Sequence, residues 1–571
     1  MGSLTLQDAL ARDQLKRLFH VAARTRMMRF GQRQEYASAM VDSIVFRSLT
    51  FSILLLLGAC AGDTSRLETT VVNAAVVPVP EPKPPPGLPE PAAGPEENAR
   101  AFQELPPATT AIALPDRRAT AARIARRPVG TEVGYLLLDL ETGQVLAELN
   151  ADQPLIPAST AKLATAVVAL DVLGPEHRYR TELLADGVIE HGVLRGDLIL
   201  KGAGDPALDL ADLLELAVQL DNLGIYFVNG RFLVDDTAFP VLSEIDPSQP
   251  AEAAYNPGIG PLSVAFNRVR VAWRGGRTAP ITLPPLEEAQ FEPAPRSLLP
   301  VGGVGLEEID DEAVVWRVAD RGRRRMASLP VKDPGLHAGR VFRQFARSQG
   351  ILLGEPERGA TPDNARLLAL HKSAPLRLLL RDMLVYSNNM MAEMIGLAAA
   401  ERLSNRPIES LDAAGALLVR HLGQLLPEID WTSASLGNHS GLDAKARLTP
   451  RQLAAIAQYG WRNDALPGLL AGGGWSGTLA GRFGAPDEAL RVWAKTGTMN
   501  YGCALAGYLF PASDRPAVFA TMVSDVDARA HYDALPRPRG AAETVAATWN
   551  ARARALQDGL VQVWLRPLPT S

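Results

Sequence analysis

The segment from Val133 to Gly174 restricts the fold more than any other part of the chain. It begins VGYLLLDL, turns at Glu141-Thr142-Gly143 and returns as QVLAELN. Apolar stretches on either side of a glycine-bearing turn predict a β-hairpin. PLIPASTAKLATAVVALDVLG follows, with Leu163, Val167 and Leu170 on one helical face and Gly174 placed to stop the helix. A hairpin that runs straight into so apolar a helix opens a domain with strand, turn and buried helix sharing one core.

The rest of the chain supplies the partners. DRRATAARIARR at 116–127 reads as a basic amphipathic helix ahead of the hairpin. From about 181 to 335 many short segments alternate with Gly, Pro and Asp, which predicts a β-rich insert. Helical stretches follow from His337, and the final third holds three strand candidates, LRVWAKTG, YGCALAGYLF and AVFATMVSDV, with a closing helix over roughly 541–557. No internal repeat is present. The expectation is an α+β fold, an antiparallel sheet covered by helices. Its catalytic part is formed by 108–180 and 336–571, and 181–335 interrupts it.

The 571 residues allow two to four domains. Net charge is −5, without a long basic block, which argues against nucleic-acid binding. Two cysteines, Cys60 and Cys503, exclude a disulfide framework and a cysteine zinc site, and the eight histidines show no paired ligand spacing. No metal or cofactor is expected. Cys503, in YGCALAGY, reads as a small buried hydrophobe. Arg323 to Arg325 read as a solvated turn, and Gly202 to Pro206 as a tight turn without the lysine of a phosphate loop.

The N-terminus reads as an address. SLTFSILLLLGAC at 48–60 has the length of a signal-peptide apolar region, and Leu57-Gly58-Ala59-Cys60 resembles a bacterial lipobox, in which Cys60 carries the lipid. Residues 1–59 form the signal region, with Met40 the expected initiator. Residues 60–107 are proline-rich and form a semi-rigid tether, with a reach on the order of 100 Å. The expected location is the periplasm, with a lipid as the only membrane contact. Ala61 after the cysteine favours the outer membrane.

Ser159-Thr160-Ala161-Lys162 places a hydroxyl and an amine three residues apart at the start of the buried helix, so one turn brings Lys162 beneath Ser159. A lysine acts as a base once burial beside another cation lowers its pKa. Ser387-Asn388-Asn389 lies between helical segments, and Lys495-Thr496-Gly497-Thr498 ends a strand candidate. In this order the three are the signature of serine β-lactamases and penicillin-binding proteins. Acyl transfer then assigns attack to Ser159, proton removal to Lys162 and a relay to the leaving amine to Ser387 with Lys495. Asn389 holds Lys162 and the substrate amide. The N–H groups of Ser159 and Thr498 form the oxyanion hole, with Gly497 permitting close approach. Thr496 and Thr498, with Lys495, suit a substrate carboxylate.

Some 225 residues separate Lys162 from Ser387. With that spacing, and with GDLILKGAGDPAL, NGRFLVDDTAF, GPLSVAFN, HSGLDAKARLTP and GWSGTLAGRF along the chain, the sequence resembles the class C low-molecular-mass penicillin-binding proteins, the D-alanyl-D-alanine carboxypeptidase/endopeptidase family. The resemblance implies a β-lactamase/transpeptidase-like antiparallel sheet flanked by helices and split by the insert. It also implies catalysis on peptidoglycan stem peptides and inhibition by β-lactams. Before SGL, where similar proteins carry an acidic residue and a glycine, this chain has Asn438-His439. Two other classes share the apparatus: a β-lactamase or esterase, which needs a dedicated deacylating base, and a non-catalytic wall scaffold, which would have lost Ser159, Lys162 or Lys495.

Overall fold

The computed structural model describes residues 116–566, apart from 129, 274–280, 285–289, 295–303, 309–313, 320–324, 405, 464–465, 512–514 and 537–539. The signal run, Cys60, the 60–107 tether and Arg323-Arg324 lie outside the described residues.

A short helix α1 (Arg117–Ile124) comes first, capped by Asp116, whose carboxylate accepts the N–H groups of Arg118 and Ala119. It has no apolar stripe; Ile124 is its one large apolar side chain, so the amphipathic expectation fails there. The hairpin forms as β1 (Glu132–Asp139) and β2 (Val145–Leu149). After a 3-10 turn at Ala158–Ala161, helix α2 (Lys162–Leu173) ends at Gly174, whose φ of +82° is the left-handed exit a glycine supplies. Leu163, Val167 and Leu170 are buried, and so is every residue from Lys162 to Leu170. The helix is enclosed on all sides rather than on one face. Each Val or Leu so enclosed stabilises the fold by roughly 1.5–3 kcal/mol, and that offsets drawing the Lys162 ammonium in with them.

Residues 180–372 form the inserted region. They run as β3 (Arg180–Glu190), β4 (Val193–Gly202), α3 (Leu210–Asn222), β5 (Phe227–Val228), β6 (Phe232–Asp235), β7 (Arg268–Trp273), β8 (Ile281–Leu283), β9 (Gln290–Ala294), β10 (Val304–Glu308), β11 (Val314–Ala319), β12 (Arg325–Pro330), α4 (Pro334–Ser348), β13 (Pro356–Arg358) and β14 (Arg366–Lys372). One sheet has the order β13-β6-β4-β3-β14, and two three-stranded sheets have the orders β12-β7-β8 and β10-β11-β9. The expected end of the insert at 335 falls inside α4, because β13 pairs with β6 and β14 with β3. Two helices also make the region less purely β than expected. Its ends are clipped together: Ser373 N–H donates to Tyr179 O (3.0 Å) and Tyr179 N–H to Ser373 Oγ (2.9 Å).

The chain then continues through α5 (Leu376–Tyr386), α6 (Asn389–Leu403), α7 (Leu411–Leu425), α8 (Pro450–Asn463), β15 (Ala471–Gly472), β16 (Val492–Met499), β17 (Gly502–Leu509), β18 (Ala517–Ser524), α9 (Val526–Ala534) and α10 (Ala541–Leu565). The three strand candidates are β16, β17 and β18. The main sheet has the order β15-β16-β17-β18-β1-β2, antiparallel throughout. Strands β1, β17 and β18 are buried on both faces, and the period of two sorts their side chains. Leu136, Leu138, Ala504, Ala506, Val518 and Met522 join the core with α2, α5, α6 and α8. Tyr135, Leu137, Leu505 and Phe519 join the core beneath α10. Cys503 packs in this second core, where burial pushes its thiol up to about 12.

Candidate active site

Ser159 sits in the 3-10 turn that launches α2, and the backbone around it is forced. Ala158 has φ +44° and Ser387, the residue closing α5, has φ +56°, both in the left-handed region that costs a non-glycine residue energy. Close glycines hold the turn from two directions. A Cβ on Gly497 would meet Pro157 O at 2.5 Å and Ser159 N at 3.1 Å, and one on Gly441 would overlap Ala158 O at 1.9 Å. Strand β16 and the 438–441 segment therefore touch the nucleophile turn backbone to backbone, as the KTG glycine predicts.

Lys162 is fully buried, and its Nζ meets Ser159 Oγ (3.0 Å), Asn389 Oδ1 (2.8 Å) and Ser440 O (2.8 Å). Two of these three are carbonyl oxygens, which only accept. In the neutral amine both N–H bonds go to them and the lone pair is left facing the Ser159 hydroxyl. Burial pulls the Lys162 ammonium down to about 7, against the upward pull of Glu393. Lys495, also fully buried, donates to Ser387 Oγ (2.9 Å) and Thr496 O (2.7 Å). Its pKa falls well below the usual lysine range through burial first and the charge of Lys162 second.

Asn388 caps α6 by accepting the Met391 N–H (3.2 Å), and this sets Asn389 at the first turn, facing Lys162. The other end of the Asn389 amide, Nδ2, donates to Tyr255 O in the inserted region (3.0 Å). On β16, Thr496 and Thr498 share one face, with Thr498 exposed. Strand β15 pairs with β16 only at Trp493 and Ala494, so among the described residues the edge from Lys495 to Met499 faces the site without a strand partner. Ser159, Lys162, Ser387, Asn389, Lys495, Thr496, Gly497 and Thr498 are thus drawn to one place by α2, the α5–α6 junction and β16.

Reasoning from motifs missed the residues behind Lys162. Glu393 is fully buried, and its carboxylate accepts the N–H groups of His439 (2.8 Å) and Ser440 (2.9 Å). Thr165, one turn into α2, donates to His439 O (2.7 Å). Asn438 Oδ1 accepts the N–H groups of Gly441 (2.9 Å) and Leu442 (3.1 Å), so this amide forms the turn that carries Ser440. The His439 ring fills the space over Gly396, where a Cβ would come within 2.1 Å of its Cγ. Among the described residues neither ring nitrogen has a partner, and burial holds the imidazole down to about 4. The helical spacing of Glu393, four residues after Asn389, is the one signal in the sequence that could have found this layer.

A model of the D-Ala-D-Ala carboxypeptidase 3 (S13) family matches residues 117–537, a span that holds every one of these side chains. D-alanyl-D-alanine carboxypeptidase DacB of Haemophilus influenzae is 26% identical over 431 residues, covering 70% of this chain and 86% of that protein. A D-alanyl-D-alanine carboxypeptidase of an Actinomadura species is 30% identical over 418 residues, covering 66% of this chain and 75% of that protein. The crystal structure of penicillin binding protein 4 (dacB) from Haemophilus influenzae aligns over 77% of this chain and 99% of its own, with a TM-score of 0.65 and 23% identity. That likeness establishes the α+β architecture with its additional inserted sheet.

Proposed function

Because this chain belongs to the D-Ala-D-Ala carboxypeptidase 3 (S13) family, we propose that it works as a serine-type D-alanyl-D-alanine carboxypeptidase/endopeptidase through a Ser159 acyl-enzyme. The observation that carries the mechanism is the set of three partners on Lys162 Nζ, two of them oxygens that can only accept. Neutral Lys162 takes the Ser159 proton as Oγ attacks the carbonyl carbon of the penultimate D-alanine. The oxyanion is held between the N–H groups of Ser159 and Thr498. Collapse breaks the amide bond, and the departing amine receives a proton from the Ser387 hydroxyl, which Lys495 hydrogen-bonds and resupplies. Water then attacks the ester and gives up a proton to the Ser387–Lys495 pair, which restores Lys495, while Ser159 recovers its proton from Lys162.

The unpaired edge of β16 offers backbone groups to an extended peptide, and Thr496, Thr498 and Lys495 offer hydroxyls and a cation to its terminal carboxylate. Such a carboxylate raises the proton affinity of Lys495, so substrate arrival charges the group that must protonate the leaving amine. A peptidoglycan stem peptide ending in D-alanine fits these requirements. A β-lactam presents the same carboxylate and a strained amide, and a solved relative from Haemophilus influenzae is complexed with one.

Export belongs to the same proposal. The apolar run ending at Cys60 and the proline-rich stretch behind it support a lipid-anchored, periplasmic enzyme on the outer membrane, and a mature mass starting at an acylated Cys60 tests that address.

Intact-protein mass spectrometry after exposure to benzylpenicillin tests the chemistry. The expected result is one stable adduct on the parent chain and none on Ser159→Ala. Rapid drug loss without an adduct would make the chain a β-lactamase, and neither adduct nor drug loss would make it a scaffold.

A further inference from the structure

The scheme above uses Lys162, Asn389 and the Ser440 carbonyl, and leaves unexplained the fully buried carboxylate that organises them. Glu393 and Asn389 are four residues apart on α6, so their side chains leave one face of the helix a turn apart. Asn389 reaches Lys162 directly. Glu393 reaches it through the backbone: Oε2 accepts the His439 N–H and Oε1 the Ser440 N–H, and the carbonyl of that same Ser440 accepts from Lys162. Both carboxylate oxygens act as acceptors, the pattern of an ionised group.

We propose that Glu393 is a positioning residue for acylation, one that fixes the Ser440 carbonyl on Lys162 and supplies the fixed negative charge beside which Lys162 takes up and releases the Ser159 proton. This rests on the reading of Ser159 as nucleophile and Lys162 as base.

The charged and titratable groups around the pair are few. Lys162 comes from α2, Lys495 from β16 and His439 from the 438–441 segment, the last kept neutral by burial. Burial leaves the carboxyl of Glu393 raised above its ordinary value, opposed by Ser440, the two N–H groups and the Lys162 charge, so it is the pairing of both its oxygens with N–H groups that marks the carboxylate. The effect on the lysine is reciprocal. Burial lowers Lys162 and the Glu393 charge holds it up, so removing the charge must lower Lys162 further. A base of lower pKa is free at lower pH and is also weaker. An amide at 393 accepts with one oxygen only and turns an NH2 group towards an N–H, which loosens the Ser440 carbonyl.

The test is the pH dependence of the second-order rate of acylation by a fluorescent penicillin, measured on the full chain, with melting temperatures recorded alongside. In the parent the rate rises through the Lys162 titration near 7 and then levels. In Glu393→Gln the acid limb moves to lower pH by at least about half a unit, and the plateau falls about tenfold or more. In Glu393→Asp, which keeps the charge but falls a methylene short, the limb stays near the parental position and the plateau falls.

An unmoved limb in Glu393→Gln overturns the electrostatic role, because a structural defect would lower the plateau without moving the limb. If that variant does not fold, Glu393→Asp decides alone, and a parental plateau overturns the proposal. A parent chain that forms no adduct overturns the reading of Ser159 beneath it, and this proposal with it. Acylation of the parent with unaffected variants overturns the role of Glu393 only.

Discussion

Gly497→Ala tests the backbone contact on which the oxyanion hole depends. A Cβ at this position lies 2.5 Å from Pro157 O and 3.1 Å from both Ser159 N and Thr160 N, about 0.9 Å inside ordinary contact with the first. All three neighbours are backbone atoms of the nucleophile turn, so no side chain can swing away. Strand β16 and the turn must separate by several tenths of an ångström. Thr498 N–H lies on one side of that gap and Ser159 N–H on the other. Misplacement on the order of 1 Å costs about 10²-fold, and losing one oxyanion donor costs about 10²–10³-fold, or roughly 2.7–4 kcal/mol of transition-state stabilisation. The expected outcome is a fall of at least about 10²-fold in the rate of Ser159 acylation, with a much smaller change in melting temperature, because the β16–β17 pairing is kept. Gly481→Ala serves as the control, since nothing lies within 4 Å of its Cβ. An acylation rate within about fivefold of the parent would refute the argument that these two backbones must touch.

Gly396→Ala puts a Cβ 2.1 Å from the His439 ring and is expected to destabilise the fold by about 1–3 kcal/mol or more; adding His439→Ala should recover most of it, and additive losses in denaturant midpoints would refute the coupling. His337 is buried in α4 with its imidazole held down to about 4. Its ordinary value is about 6.5, so the unfolded chain binds its proton first as the pH falls. The stability it contributes is complete above about 6.5 and is lost as the pH approaches 4. Comparing denaturant unfolding at pH 7 and 4.5, His337→Leu should lose about 2–3 kcal/mol less than the parent, and equal losses would show that the imidazole is not held neutral.

What could be read from the chain divides along a physical line. The hairpin, β16 to β18 and the Ser159–Lys162 turn are local patterns, with a period of two in strands and a fixed offset in a helix, and they stand where those periods put them. The end of the insert lies later than expected because β13 and β14 are edge strands, one of them only three residues long, with no apolar alternation to announce them. The enclosure of α2 was underestimated because a face marked by Leu163, Val167 and Leu170 says nothing of what covers the alanines between. The Ser440 carbonyl was invisible for a different reason. A backbone acceptor belongs to every residue, and only tertiary closure of the 438–441 segment on α6 singles this one out.

The Asn389 amide ties the base to the inserted region. The adjoining ends of the inserted region, Tyr179 and Ser373, are the geometry in which a segment can enter a chain, or leave it, without tearing the host apart. Yet the Asn389 Nδ2 group is spoken for by the Tyr255 carbonyl of that same segment, and this is what decides which way round the amide sits. Without it, the side chain is free to rotate and offer its NH2 to Lys162, two donors facing each other where a donor and an acceptor are required. The inserted region thus keeps the base's partner oriented, and a trimmed chain joined at Tyr179 and Ser373 loses the carbonyl that holds Asn389 Oδ1 towards Lys162.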